Sequence, residues 1–272
     1  MSSIGILSGK GGTGKTFVSV NLASIIDDST YIDCDIEEPN GRLFLKPNDI
    51  KTELVTVKNP VINNDLCVGC RRCVSFCEFN ALAFVDNKVL LIDNLCHSCG
   101  GCSIICPQEA ITEEEKVIGK VEIGKSNNTK CVTGLLNVSV AAGVPIISKS
   151  LEYMSENTIV DCPPGSSCEV MESISKVDYC ILVVEPTKFS YHNYLMVKEL
   201  VTTLKKPYGV VINKYEKDTG IEFDDNILAR INFDPQIAEE LSIGNIPVNN
   251  NKELREIFNN LYSNVCKEIA ND

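Results

Sequence analysis

A doubly wound, mostly parallel α/β sheet interrupted by a small cysteine-rich module is the architecture this 272-residue chain predicts. Three observations carry it. An apolar strand near the start runs straight into a glycine-rich loop and a helix. Further apolar runs of strand length follow, separated by segments of helical periodicity, the alternation from which parallel sheets are built. Between them, a run of four cysteines recurs 29 residues after its first appearance.

The first element spans residues 4–16: Ile4-Gly5-Ile6-Leu7-Ser8-Gly9-Lys10-Gly11-Gly12-Thr13-Gly14-Lys15-Thr16. A strand leads into G-x4-G-K-T, and Val18, Val20, Leu22, Ala23, Ile25 and Ile26 continue as a helix. This is the strand–loop–helix context that a P-loop requires. The glycines let backbone N–H groups converge on phosphate oxygens, and the helix N-terminus adds its positive end. Lys15 is placed to reach the β and γ phosphates and Thr16 to ligate Mg²⁺. Gly9, Lys10, Gly11, Gly12, Thr13, Gly14 and Phe17 are the other expected contacts to ATP or ADP.

Four more strands follow in order. Tyr31-Ile32-Asp33-Cys34-Asp35 ends in two acids. Ile159-Val160-Asp161-Cys162-Pro163-Pro164-Gly165 ends on an acid and a tight turn. Cys180-Ile181-Leu182-Val183-Val184-Glu185-Pro186-Thr187 is uniformly apolar until its end, and Gly209-Val210-Val211-Ile212-Asn213-Lys214 closes on an amide. Polar residues end strands in every α/β fold. These carry weight because they fall in this order behind a P-loop.

The cysteine module reads Cys67-x2-Cys70-x2-Cys73-x3-Cys77, then Cys96-x2-Cys99-x2-Cys102-x3-Cys106-Pro107. The echo continues, with Asn80-Ala81-Leu82 answering Glu109-Ala110-Ile111. The pattern resembles a bacterial two-cluster ferredoxin, in which each run gives three thiolates to one [4Fe–4S] cluster and the fourth to the other. The resemblance implies one cluster on Cys67, Cys70, Cys73 and Cys106, and another on Cys77, Cys96, Cys99 and Cys102. Paired structural zinc sites are the alternative, but a third cysteine at x2 spacing has no use in them. Glu78 stands where the first run of such ferredoxins has Pro.

The loop itself narrows the class. Gly-Lys-Gly-Gly-Thr-Gly-Lys-Thr, with its second lysine at Lys10, resembles the deviant Walker A box of MinD/Mrp/ParA-type ATPases, a group that includes the nitrogenase iron protein. The resemblance covers nearly the whole chain and implies a homodimer in which Lys10 reaches the partner's nucleotide. It makes Asp35 the residue orienting the attacking water and a Mg²⁺ neighbour, with Asp33 in support. It makes Asp161 a Walker B acid holding Mg²⁺ through water, and Gly165 a mobile point of switch II. Lys10, Lys15, Asp35 and Asp161 are thus the catalytic set. Asn213 falls on the adenine contact, and Ile231-Asn232-Phe233-Asp234-Pro235 on the segment closing over the base. Asn232 departs from the usual Pro there, and Phe233 is the contact it would present.

With 44% hydrophobic residues the chain can bury one sizeable core and a small satellite. The expected division is an ATPase domain over 1–58 and 116–272, with a ferredoxin domain inserted over 59–115. Both junctions, Lys58-Asn59-Pro60 and Thr112-Glu113-Glu114-Glu115-Lys116, are polar. A net charge of −12 argues against nucleic acid. No apolar run approaches the ~20 residues of a membrane span, and no signal sequence precedes Ile4; the P-loop and cluster motifs make a reducing cytoplasm the expected location. Leu254, Ile257, Phe258, Leu261, Val265 and Ile269 have helical spacing. Their polar flank is mixed in sign, so this helix is expected to pack on the domain rather than on a lipid surface.

Six further cysteines lie outside the runs. Cys131 and Cys168 stand near the positions at which the nitrogenase iron protein bridges a cluster across its dimer. They read either as a third, interface cluster or as buried thiols, and residues 131–137 equally as a loop on the dimer face. The combined expectation is an ATP-hydrolysing iron–sulfur protein, a nucleotide-gated homodimer passing electrons through two [4Fe–4S] clusters to a partner protein. The alternative is an ATP-dependent carrier that delivers iron–sulfur or metal cofactors to an accepting protein.

Overall fold

The computed structural model describes residues 2–216 and 220–271. The chain divides into two compact units. One runs to Thr52, resumes over Val121–Gly134 and continues from Ile147; the other comprises Glu53–Lys120 and Leu135–Ile146.

The elements begin with β1 (Ser2–Leu7), α1 (Lys15–Ile25), β2 (Thr30–Asp33), α2 (Gly41–Leu45) and β3 (Asn48–Ile62). The cysteine-bearing stretch holds α3 (Arg72–Phe76), β4 (Leu82–Val85), β5 (Lys88–Leu91) and α4 (Gly101–Ile104). The chain returns through β6 (Ile111–Ser126), β7 (Thr129–Leu136), α5 (Val144–Leu151), β8 (Asn157–Asp161) and α6 (Cys168–Ser173). It ends with β9 (Tyr179–Val184), α7 (Lys188–Thr203), β10 (Tyr208–Tyr215), β11 (Ile227–Asn232), α8 (Pro235–Ser242) and α9 (Lys252–Asn271).

Among the described residues, nine strands form one sheet in the order β11-β10-β9-β1-β8-β2-β7-β6-β3. Every residue of β1 and β9 is buried, which is why β9 and the second half of β1 lack a polar alternation. β1 lies between β8 and β9, parallel to both, with Ile4 opposite Ile159 on one side and Tyr179 on the other. From β1 the chain moves to β2 on one flank, and from β9 to β10 on the other. That reversal opens a crevice at the carboxyl ends of the strands, where open α/β sheets bind ligands. The register of β2 on β8 sets Asp33 directly opposite Asp161.

Residues 131–137 are not a loop. Most of that stretch is β7, which pairs in parallel with β2 and sets Cys131 opposite Tyr31. β7 follows β6 through Asn127-Asn128, with Asn127 at a φ of 50°. Asparagine tolerates the left-handed backbone that a two-residue hairpin turn needs.

The second unit repeats its backbone as well as its sequence. Gly69 and Ser98 (φ 69° and 53°), Arg71 and Gly100 (59° and 74°), and Asn80 and Glu109 (53° and 50°) are left-handed at matching offsets. Short helices follow at Arg72 and Gly101. Cys73, Leu82, Val89 and Ile111 form its small core.

α9 shows how periodicity becomes packing. Leu254, Phe258, Leu261 and Val265 fall on one face and are buried with α1 residues in the main core. The Phe258 ring meets Phe17 edge-on at 5.8 Å. Among the described residues no helix is long and apolar enough to cross a membrane. Because Phe258 is fully buried, Phe258→Ala should cost about 3–5 kcal/mol of stability through lost burial and a cavity. Urea unfolding followed by circular dichroism measures this; a loss below ~1 kcal/mol would show that α9 does not close the core.

Candidate functional site

The P-loop lies between β1 and α1. Gly12 and Gly14 take φ values of 79° and 94°, a region open to glycine at no steric cost. Gly14 has a second reason: a Cβ there would lie 2.1 Å from Asn213 Nδ2. That amide donates to the Thr13 carbonyl at 2.8 Å, so the end of β10 braces the loop. No side chain caps the start of α1, leaving its first N–H groups aimed into the loop. Thr13 Oγ1 is the one buried side-chain oxygen or nitrogen without a hydrogen-bond partner among the described residues. An oriented donor at a helix N-terminus suits an anion.

Lys15 is 7% exposed, and its ammonium stands 3.5 Å from Asp35 Oδ2 and 3.5 Å from Asp161 Oδ1. Burial works against its charge, but Asp161 and Asp35 outweigh that and hold its pKa above the ordinary lysine value. Burial, followed by Asp161, pushes the Asp33 carboxyl well up. Asp35 is also raised by burial, with Lys15 opposing the shift. Asp33 receives N–H donors from Gly41 at 3.0 Å and from Asp35 at 3.2 Å. The acids expected from sequence to surround Mg²⁺ thus converge at the strand ends, beside the Thr16 segment of the loop.

One cavity of about 660 Å³ lies beside these groups; Lys15 and Asp35 line it, while Asp33 and Asp161 are fully buried and are not among its lining residues. Lys10, Lys15, Thr16 and Asp35 line its polar end; Asn213 lies along the wall; Phe44, Ile231, Phe233 and Leu241 supply an apolar end. Its size and mixed lining suit a nucleotide. Gly9 does not face it, because that glycine is pressed against α7: a Cβ would lie 2.3 Å from the Asn193 carbonyl oxygen.

Two residues here had no signal in the sequence. Glu185 binds Lys10 at 2.8 Å and Lys214 at 2.6 Å, while Lys214 also donates to the Gly12 carbonyl at 3.0 Å. Burial alone would raise the Glu185 carboxyl, but hydrogen bonds from the two lysines bring it below its ordinary value. Lys10 is therefore held within its own chain in this structure.

None of the fourteen cysteines is joined in a disulfide among the described residues. Cys67, Cys70, Cys73 and Cys106 line one small cavity of about 20 Å³. Cys77, Cys96, Cys99 and Cys102 line a second, of about 450 Å³. Each lining draws three thiols from one run and the fourth from the other. In the second, Cys77 Sγ accepts the Ala81 N–H and Cys96 Sγ accepts the Ser98 N–H, both at 3.4 Å. Such bonds stabilise thiolate ligands of iron–sulfur clusters, so the donor chemistry fits that group.

Cys131 and Cys168 are not brought together in this way. Cys131 is 3% exposed, belongs to the main core and has its thiol pushed up to about 12 by burial. Cys168 is exposed at the start of α6. Cys131 lies within β7 with its thiol buried while Cys168 is exposed, so this structure gives the interface-cluster expectation no shared site.

The profile of the CobQ/CobB/MinD/ParA nucleotide-binding domain matches residues 4–257, the P-loop and crevice included. The chain belongs to this family. An uncharacterised protein of Methanocaldococcus jannaschii is 30% identical over 223 residues, 79% of this chain and 81% of its own length. The cell-division ATPase MinD of Pyrococcus furiosus shares the fold, with a TM-score of 0.61 at 20% identity over 98% of both chains. A ferredoxin of Pyrobaculum islandicum is 31% identical over 74 residues, 27% of this chain and 69% of its own. The family match accounts for the nucleotide crevice; the ferredoxin match is confined to about a quarter of the chain.

The lowered Glu185 pKa sets a pH window. Its ion pairs support the fold above the unfolded carboxylate pKa, and that support is lost as pH falls through the lower folded value. Glu185→Gln should therefore reduce thermal stability near neutrality and flatten the acid limb. Melting curves from pH 3 to pH 8 test this, and parallel curves for variant and wild type would remove the ion pairs from the account.

Proposed function

We propose that this protein is an ATP-hydrolysing iron–sulfur protein, a homodimer whose nucleotide state controls electron transfer through two [4Fe–4S] clusters to a partner protein. The observation that carries the reading is the sorting of eight cysteines into two cavities, each with a ligand from both runs. Supporting it, left-handed backbone positions recur in both runs, and such turns aim N–H groups at anionic centres. On this reading residues 59–115 form an inserted ferredoxin-type domain.

Cys67, Cys70, Cys73 and Cys106 would hold one cluster, and Cys77, Cys96, Cys99 and Cys102 the other; bound there, they supply one-electron transfer. Thr16, Asp35 and Asp161 would hold Mg²⁺, which neutralises charge on the transferring phosphoryl group. The chain's own groups do the rest. Lys15 meets the β and γ phosphates, and Asp35 orients the attacking water. Asn213 and Phe233 take the base. Gly165, whose N–H now donates to the Ser8 carbonyl at 2.9 Å, rearranges with the γ-phosphate. Lys10 leaves Glu185 and reaches the partner subunit's nucleotide.

Nucleotide state has a covalent route to the cysteines. The chain leaves the acid-bearing end of β2 through α2 into β3, and returns by β6 and β7 to β8. A second reading, cofactor delivery, draws on the exposure of Cys70 and Cys99, one thiol of each set within reach of an acceptor.

Anaerobically purified protein should contain about eight iron atoms per chain, as two complete ligand sets require. Cys102→Ser should lower this to about four while leaving ATP binding intact. Iron analysis and electron paramagnetic resonance decide; zinc in place of iron would end the redox reading. Rapid loss of iron to an apo-acceptor would favour delivery.

Lys15→Ala should abolish nucleotide binding, whereas Lys10→Ala should keep ADP binding and lose ATP-driven dimerisation. Sedimentation with each nucleotide separates the two. An ATP-dependent dimer that persists in the Lys10 variant would remove that lysine from the interface.

A further inference from the structure

Tyr31 is 1% exposed, in a strand flanked on both sides by others. A buried phenol must find a partner for its O–H; two carboxylates stand within reach of it, and the Ser19 hydroxyl is a further hydrogen-bonding neighbour. Its hydroxyl donates to Asp161 Oδ2 at 2.9 Å and lies 3.4 Å from Asp33 Oδ2. It has one proton to give, so the shorter contact is the bond. Asp33 has other donors, the N–H groups of Gly41 and Asp35. For Asp161 the phenol is the shortest side-chain contact, since Lys15 stands off at 3.5 Å on the other oxygen.

The placement follows from strand geometry. Tyr31 and Asp33 are two residues apart on β2 and share a face of the sheet. Asp33 is in register with Asp161 on β8, so Tyr31 reaches that carboxylate one step along the strand. The structure around the hydroxyl is built to admit it. A Cβ on Gly41, the first residue of α2, would lie 2.0 Å from the phenol oxygen. α2 follows the loop that carries Asp35, and its first N–H is the one bound to Asp33. One hydroxyl therefore touches the acid at the end of β8 and the start of the helix after β2.

We infer that Tyr31 is a positioning residue of the nucleotide site: its hydroxyl holds Asp161 Oδ2, keeping Oδ1 turned to the Lys15 side, where Mg²⁺ would be bound. The inference rests on the nucleotide reading above and adds to it a residue outside the P-loop and its acids. Phenylalanine at this position would pack as well but leave the carboxylate free to turn. Groups that orient a metal-binding carboxylate from behind are worth about 10–100-fold in metal affinity.

The test uses the full chain with clusters in place. A fluorescent ADP analogue is titrated first in EDTA and then against Mg²⁺, and melting temperature checks folding. Tyr31→Phe should bind the analogue in EDTA as wild type does, while the Mg²⁺ concentration giving half of the Mg²⁺-dependent gain rises about tenfold or more. Gly41→Ala, which crowds the hydroxyl while leaving it in the sequence, should shift the Mg²⁺ requirement the same way and carries the test if Tyr31→Phe fails to fold. A Mg²⁺ requirement unchanged from wild type in either folded variant overturns the role of Tyr31 alone. Wild-type protein whose nucleotide binding is absent or indifferent to Mg²⁺ overturns the nucleotide reading and this inference with it.

Discussion

The buried ammonium of Lys15 is the interaction on which the crevice depends. Parallel pairing of β1, β8 and β2 brings Asp33 and Asp161 to adjacent strand ends in a water-poor setting, and Asp35 follows one step beyond. Carboxylates gathered this closely repel one another and lose hydration. One cation among them, fixed by the loop that follows β1, offsets that cost and keeps the strand ends together. The same arrangement sets a positive group and a cluster of acids at the edge of the crevice, so on the proposed function the site's stability and its chemistry would come from one charge pattern. Removing the cation alone would leave buried charge uncompensated, which costs far more than the pair is worth.

Restraint of the loop is distributed over segments remote in sequence. Asn213 closes over Gly14, Asn193 presses on Gly9, and Glu185 takes Lys10 and Lys214 together. The loop is thus preformed for an anion, while its second lysine is engaged in an internal ion pair that ligand-driven rearrangement would have to break. Thr13 Oγ1 is the one buried side-chain oxygen or nitrogen left without a partner among the described residues.

The cysteine unit works on a different principle. Its apolar core is small, too small to organise so many loops by burial alone. Repeated left-handed residues do part of that work by turning the backbone tightly enough to bring thiols from both runs to a common lining. Here local conformation, as much as packing, sets where the thiols lie.

These differences decide what could be read from the chain alone. The P-loop, the paired cysteine runs and the apolar face of α9 were legible because each is a local requirement: glycines where φ is positive, thiols at fixed spacing, and apolar residues at helical period. The order of strands behind the loop was legible as far as the motifs marked their ends. The partners were not. Lys10 meets Glu185 across 175 residues of sequence, and Tyr31 meets Asp161 across 130. Strand order in this sheet does not follow chain order, so which side chains face one another is a property of the assembled sheet. Cys131 makes the same point in reverse: its spacing left a cluster ligand and a buried thiol both open, and only its place in β7, opposite Tyr31 and within the core, shows the thiol buried. Local pattern determined which chemistry the chain carries; the tertiary structure decided which groups hold it in place, because contacts between strands are chosen by register and burial.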